Sequence, residues 1–149
     1  MTEAVAKVTN VLENILALLL FAMFLMIATL VLLRYVFATT IIGGNEATIV
    51  AFIYTTAIGA SIAIARDEHI AIDYFVEKLS PTSQQYLTRL RLVLLAIINL
   101  AIAYFAFAWI QRTGGFLMPT LGAPQLVAQL SVPLSGTLSA LYCLVRLLR

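Results

Sequence analysis

The sequence predicts an all-α integral membrane protein with four transmembrane helices, both termini cytoplasmic, and short amphipathic helical segments at the interface. Three observations carry that prediction. Hydrophobic residues fill 62% of the 149 positions and charged residues only 11%, with a mean hydropathy of +1.02. A soluble domain carries about 25% charged residues, so this chain has too little polar surface to cover itself with. Four apolar stretches, at about 14–34, 46–66, 91–111 and 126–146, each have the length of a bilayer crossing. Lysine and arginine are distributed unequally: with four crossings, one side holds Lys7, Arg66, Lys78, Arg89, Arg91, Arg146 and Arg149, and the other only Arg34 and Arg112. Seven against two places both termini in the cytoplasm.

The first apolar stretch follows Glu13, is too long for the apolar region of a cleavable signal, and lacks a small-residue cleavage site, so it reads as a retained span. Before it, Val5, Val8, Leu12 and Ile15 recur at spacings of three and four. That period fits either an amphipathic surface segment or the solvated first turns of helix one. Arg34 and Tyr35 end the span with side chains suited to the headgroup zone.

The second span is the most informative. Gly43-Gly44-Asn45-Glu46 opens it, residues 47–65 are uncharged, and Arg66-Asp67-Glu68-His69 closes it. A helix from Glu46 to Arg66 rises about 30 Å, one bilayer core, which puts a charge at each face. Ala51, Thr55, Gly59 and Ala63 fall every fourth residue, a row of small side chains that admits a close helix neighbour. Ser135 and Ser139 continue the same logic in the fourth span. These six are the subunit-packing candidates. Glu46 has three readings: an ion ligand, a cap of the second span, where a carboxylate complements the helix N-terminus, or a group that meets a partner's cation, the last two being the plainer. With Arg112 it is an outer-face interaction candidate.

Arg66, His69 and Asp73 form a cluster at the cytoplasmic end. His69 and Asp73 are helical i, i+4 neighbours, which allows a pH-sensitive pair, while the plainer reading is a charged cap that sets topology and docks a partner. Ser80-Pro81 reads as a helix start leading into the third span, where Asn99 is positioned to bond a neighbouring helix. The breakers Gly114, Gly115, Pro119, Gly122 and Pro124 make a loop at the membrane edge, and Pro133 kinks the fourth span.

Chemistry is sparse. A single histidine and a single cysteine, Cys143, supply neither a metal site nor a haem ligand pair, so no cofactor is expected. No phosphate-binding loop, nucleophile motif or basic run points to hydrolysis or nucleic acid. A transporter that carries its own substrate usually places an ionisable group at mid-membrane, and here every charge lies outside the spans or at their ends. One compact four-helix unit over residues 1–149, without catalysis, is the expectation.

Taken in sequence, Leu33-Arg34-Tyr35-Val36-Phe37, Glu46, Gly59-Ala60, Arg66, Glu68-His69-Ile70-Ala71-Ile72-Asp73-Tyr74-Phe75, Glu77-Lys78-Leu79-Ser80-Pro81 and Pro119-Thr120-Leu121-Gly122-Ala123-Pro124 resemble the small, DctQ-like permease subunit of tripartite ATP-independent periplasmic (TRAP) transporters. The resemblance implies a non-catalytic subunit in a bacterial inner membrane. Its implied partners are a large permease subunit, a periplasmic solute-binding receptor and membrane lipids. It further implies sodium-coupled uptake of a carboxylate solute, with the small chain enlarging the immobile scaffold of the large one. The rival readings are a free-standing oligomeric transporter or channel, and a membrane anchor of a redox complex.

Overall fold

The computed structural model describes residues 3–66 and 81–148. They form helices α1 (Glu3–Val36), α2 (Gly44–Arg66), α3 (Pro81–Thr113), α4 (Leu126–Gln129) and α5 (Ser131–Leu147). Four stretches are long and apolar enough to cross a membrane: Ala6–Val36, Gly44–Arg66, Ser83–Thr113 and Leu126–Leu147, the last made of α4 and α5 together. The start of α1 and the end of α5 lie at one end of the helices; the 37–43 and 113–125 connections lie at the other, here called the loop end.

The helices differ in length. α1 has 34 residues and α3 has 33. Each is about 50 Å long, well beyond a core about 30 Å thick. Their surplus bears the polar residues Lys7, Asn10 and Glu13 on α1, and Gln84, Gln85, Arg89 and Arg91 on α3. The amphipathic stretch before Asn14 is therefore no separate interfacial helix: α1 runs through it without interruption. Just past the end of α1 the chain turns at Ala38, whose φ of 49° lets the Thr39 N–H return to the Leu33 carbonyl at 3.0 Å.

The break between α4 and α5 follows from Pro133. Proline has no N–H, so the carbonyl four residues back, that of Gln129, loses its donor. The interruption falls at Leu130, one turn before the proline. Leu130 keeps helical angles (φ −60°, ψ −24°), and the Ser131 hydroxyl donates to the Ala128 carbonyl at 2.7 Å. The result is an interruption at Leu130 within a continuing span.

Packing follows the order α1, α2, α5, α3. α1 leans on α2, α2 on α5, and α5 on α3, so the four spans make an open row, not a closed four-helix bundle. Little of α1 is covered; Leu18, Leu20, Phe21 and Phe24 are all more than half exposed.

Small residues form the seams. Between α3 and α5, Gly136 lies against the backbone of Asn99 and Ala103, so near that a Cβ there would stand 2.8 Å from the Asn99 carbonyl oxygen. Ala96, Ala103, Ala106, Ala140 and Cys143 are buried along the same contact. Between α2 and α5, the Ser139 hydroxyl donates to the Ser61 oxygen at 3.0 Å, and Ser61 donates to the Ser135 carbonyl at 3.0 Å. Ser61 and Ser139 are almost fully enclosed. Close approach and a hydroxyl bond between helices are the main attractions available where lipid is as apolar as leucine.

A candidate interaction site at the loop end

Glu46 lies in the first turn of α2, half-buried. Its carboxylate accepts hydrogen bonds from the backbone of the 113–125 loop, from Thr120 N–H at 3.1 and 3.2 Å and from Leu121 N–H at 2.6 Å. Charge-assisted bonds of this kind are about twice as strong as neutral ones. Among the described residues its hydrogen-bond partners are not the N–H groups of its own helix. Two backbone donors more than 70 residues away along the chain satisfy it.

Gly43 makes this approach possible. Its φ is +79°, and a Cβ there would stand 3.0 Å from Leu121 Cδ1 and 3.3 Å from Leu121 Cα. A left-handed residue with a side chain would be strained and would push the loop off Glu46. Gly44 packs instead against Leu30 of α1. The two glycines thus seat the start of α2 between the loop on one side and α1 on the other.

The loop is folded in its own right. Met118 N–H donates to the Ala123 carbonyl at 2.8 Å, Gly122 N–H to Met118 at 3.0 Å, and Gln125 N–H to Phe116 at 2.7 Å. Leu117 and Pro124 pair as an isolated antiparallel bridge. Gly122, at φ +68°, makes the turn. Met118 is buried beneath it. The Tyr54 hydroxyl donates to the Val127 carbonyl at 2.7 Å, and Gln129 Nε2 donates to Thr113 Oγ1 at 3.0 Å. Through these bonds the loop joins α2, α3 and the α4–α5 span. Its outer surface carries exposed Phe116, Leu117 and Leu121.

The other sequence-predicted residues fall elsewhere. Arg112 is exposed in the last turn of α3 and is not bonded to Glu46. Arg66 meets Glu13 of α1 through two charge-paired hydrogen bonds and Asn10 at 3.1 Å, so it ties α2 to α1. His69 and Asp73 lie outside the described residues. Along the α2 row, Ala51 and Thr55 face α1, with Thr55 Oγ1 3.8 Å from Met23 Sδ, and the neighbour nearest to Gly59 is Leu16. Ala63 is half-buried. Ser135 and Ser139 meet Ser61. The small rows thus lie along seams inside the chain. Asn99, expected to reach a neighbouring helix, instead donates to the Leu95 carbonyl of its own helix at 2.8 Å.

What faces outward is different. On α2 the exposed stripe is Ile49, Phe52, Thr56 and Ala60; on α5 it is Leu134, Thr137 and Leu141. Sequence reasoning passed over Gly136, Ala96 and Ala103. Their signal was there: Ala96, Ala103 and Ala106 recur at seven and three, one face of a helix.

The family model described as tripartite ATP-independent periplasmic transporters, DctQ component, matches residues 23–149. The chain belongs to this family. No curated protein matches it. The match takes in α2, α3, α4 and α5 whole and the loop-end part of α1 from residue 23, together with the Glu46 clasp and its loop. This DctQ component is therefore a small membrane component of a TRAP transporter, a multi-pass chain whose four apolar helices suit the bilayer.

Proposed function

We propose that this DctQ component is a non-catalytic scaffold for the large permease subunit, in sodium-coupled uptake of a carboxylate solute delivered by a periplasmic receptor. Both termini face the cytoplasm in this reading and the loop end faces the periplasm of a bacterial inner membrane. The observation that carries the reading is the open row. Helices arranged side by side leave two broad apolar faces, a shape for lying against a larger membrane protein. A closed bundle would turn those faces inward.

The hydroxyl and amide groups at membrane depth support the same reading. Thr55 bonds the Ala51 carbonyl, Asn99 bonds Leu95, and Ser61 and Ser139 bond across α2 and α5. Their hydrogen bonds stay within the chain, which leaves them little capacity to grip a solute. The stripe at Phe52, Thr56 and Ala60 is the contact we assign to the large subunit. The Glu46-held loop, with Arg112 near the same level, is the contact we assign to the receptor. Arg66 and the neighbouring His69 and Asp73 cap the cytoplasmic side.

The test is reconstitution. The chain alone, the large subunit alone and the two together are placed in vesicles with the receptor and a sodium gradient. Accumulation is expected only when both subunits are present. Solute accumulation by this chain alone would overturn the scaffold reading in favour of a self-sufficient transporter.

A further inference from the structure

At the loop end α1 and α2 part to leave a half-open groove of about 540 Å³. Its walls are Ile27, Leu30 and Val31 of α1 and Ile49 of α2; its mouth carries Arg34 and Asn45. Thr48 lines it too, but the Thr48 hydroxyl is turned to the Gly44 carbonyl at 2.9 Å, so the interior presents hydrocarbon. Ile27 and Arg34 are seven residues apart, so the apolar part extends about 10 Å below the cation, a third of a bilayer core. Arg34 has no ion pair or hydrogen bond among the described residues.

An apolar slot of that depth beneath one cation matches an amphiphile with a single negative charge at its head. A soluble anion would use the cation but gain nothing from the slot. A hydrocarbon would use the slot but not the cation. We propose that this groove seats an anionic phospholipid of the loop-end leaflet, with its phosphate on Arg34 and Asn45 and one acyl chain against Ile27, Leu30, Val31 and Ile49. A guanidinium binds phosphate through paired N–H donors, and the Asn45 amide adds another. The proposal needs α1 and α2 to span a bilayer; it does not depend on the scaffold role.

The test uses the chain purified from membranes with whatever subunit accompanies it. It is placed in nanodiscs of phosphatidylcholine doped with phosphatidylglycerol, and native mass spectrometry counts the lipid retained on release. Phosphatidylglycerol is expected to be retained in preference to phosphatidylcholine. Arg34→Gln should lower that retention about tenfold, the loss of one charge-assisted contact, while Arg34→Lys should keep most of it. Ile49→Trp fills the slot and should expel lipid with Arg34 intact. Glycerol phosphate in solution should not displace the lipid. Equal retention of the two lipids by the unaltered chain would overturn the proposal, as would unchanged retention in Ile49→Trp. So would a photo-crosslinker at Ile49 that captures the accompanying subunit instead of lipid.

Discussion

A methyl group at Gly136 tests whether the α3–α5 seam sets the spacing of the row. Built in place, the Cβ stands 2.8 Å from the Asn99 carbonyl oxygen and 3.1 Å from the Ala103 Cβ. The first obstacle is helix backbone, which cannot rotate aside, so α5 must withdraw from α3. Overpacking of this kind costs about 1–3 kcal/mol, and alanine's better helix propensity returns at most about 1 kcal/mol. Gly136→Ala should therefore destabilise by about 1–2 kcal/mol. Gly59 is the control. A methyl there meets only Leu16 Cδ1, at 3.9 Å, an ordinary contact. Gly59→Ala should be neutral or stabilise by up to about 1 kcal/mol. The two variants should differ by about 2 kcal/mol, which is about 4–8 °C in Tm for a chain of this size. The assay is thermal unfolding in detergent, followed by Trp109 fluorescence and by survival of the monodisperse species. Equal Tm values, or a higher one for Gly136→Ala, would refute the argument that backbone contact fixes this seam.

Three further predictions address the other ties. Glu46→Gln keeps one carbonyl acceptor for the loop but turns an amide donor toward the other N–H; the loop should become cleavable by protease near Thr120, and uptake should fall at limiting receptor while the spans stay folded. Ser61→Ala and Ser139→Ala should each cost about 0.6–1.7 kcal/mol, and the double variant should cost less than their sum, measured by unfolding in a double-mutant cycle. Glu13→Gln removes the charge partner of Arg66; cysteines placed at the facing ends of α1 and α2 should then cross-link more slowly, and added salt should slow the unaltered chain toward the variant's rate, since the pair is exposed.

The spans were legible because bilayer length and the absence of charge are properties of a single stretch. The interruption of the fourth span was legible for a similar reason: a missing N–H at Pro133 acts four residues away, within one span. Helix neighbours were harder. The row at Ala51, Thr55 and Gly59 announced a close contact, yet nothing in its spacing named the helix that would fill it, and α1 supplies Leu16 and Met23. Gly136 stood among serines that drew attention first. Glu46 shows the limit most clearly. Its partners are backbone N–H groups of Thr120 and Leu121, and a backbone donor leaves no mark in the residue types. The one indirect sign was the glycine pair beside it, since Gly43 is needed where the loop backbone comes near.

The placement of the polar ties bears on whether the row could act as a brace. At the terminal end Arg66 joins α2 to Glu13 and Asn10 of α1, and the Thr9 and Tyr142 hydroxyls lie 3.2 Å apart between α1 and α5. At the loop end Glu46 joins α2 to the loop that follows α3, and Tyr54 joins it to Val127. Between these ends the seams hold glycine, alanine and serine, which pack backbone against backbone and leave few rotamers to exchange. A helix could slide by one turn, about 5.4 Å, only by breaking ties at both ends together. Relative motion of the four spans is thus opposed at the ends by hydrogen bonds and in the middle by close backbone contact. A neighbour that moves its cargo across the membrane needs a fixed surface to move against. A row tied in this way supplies one with its faces still open for docking.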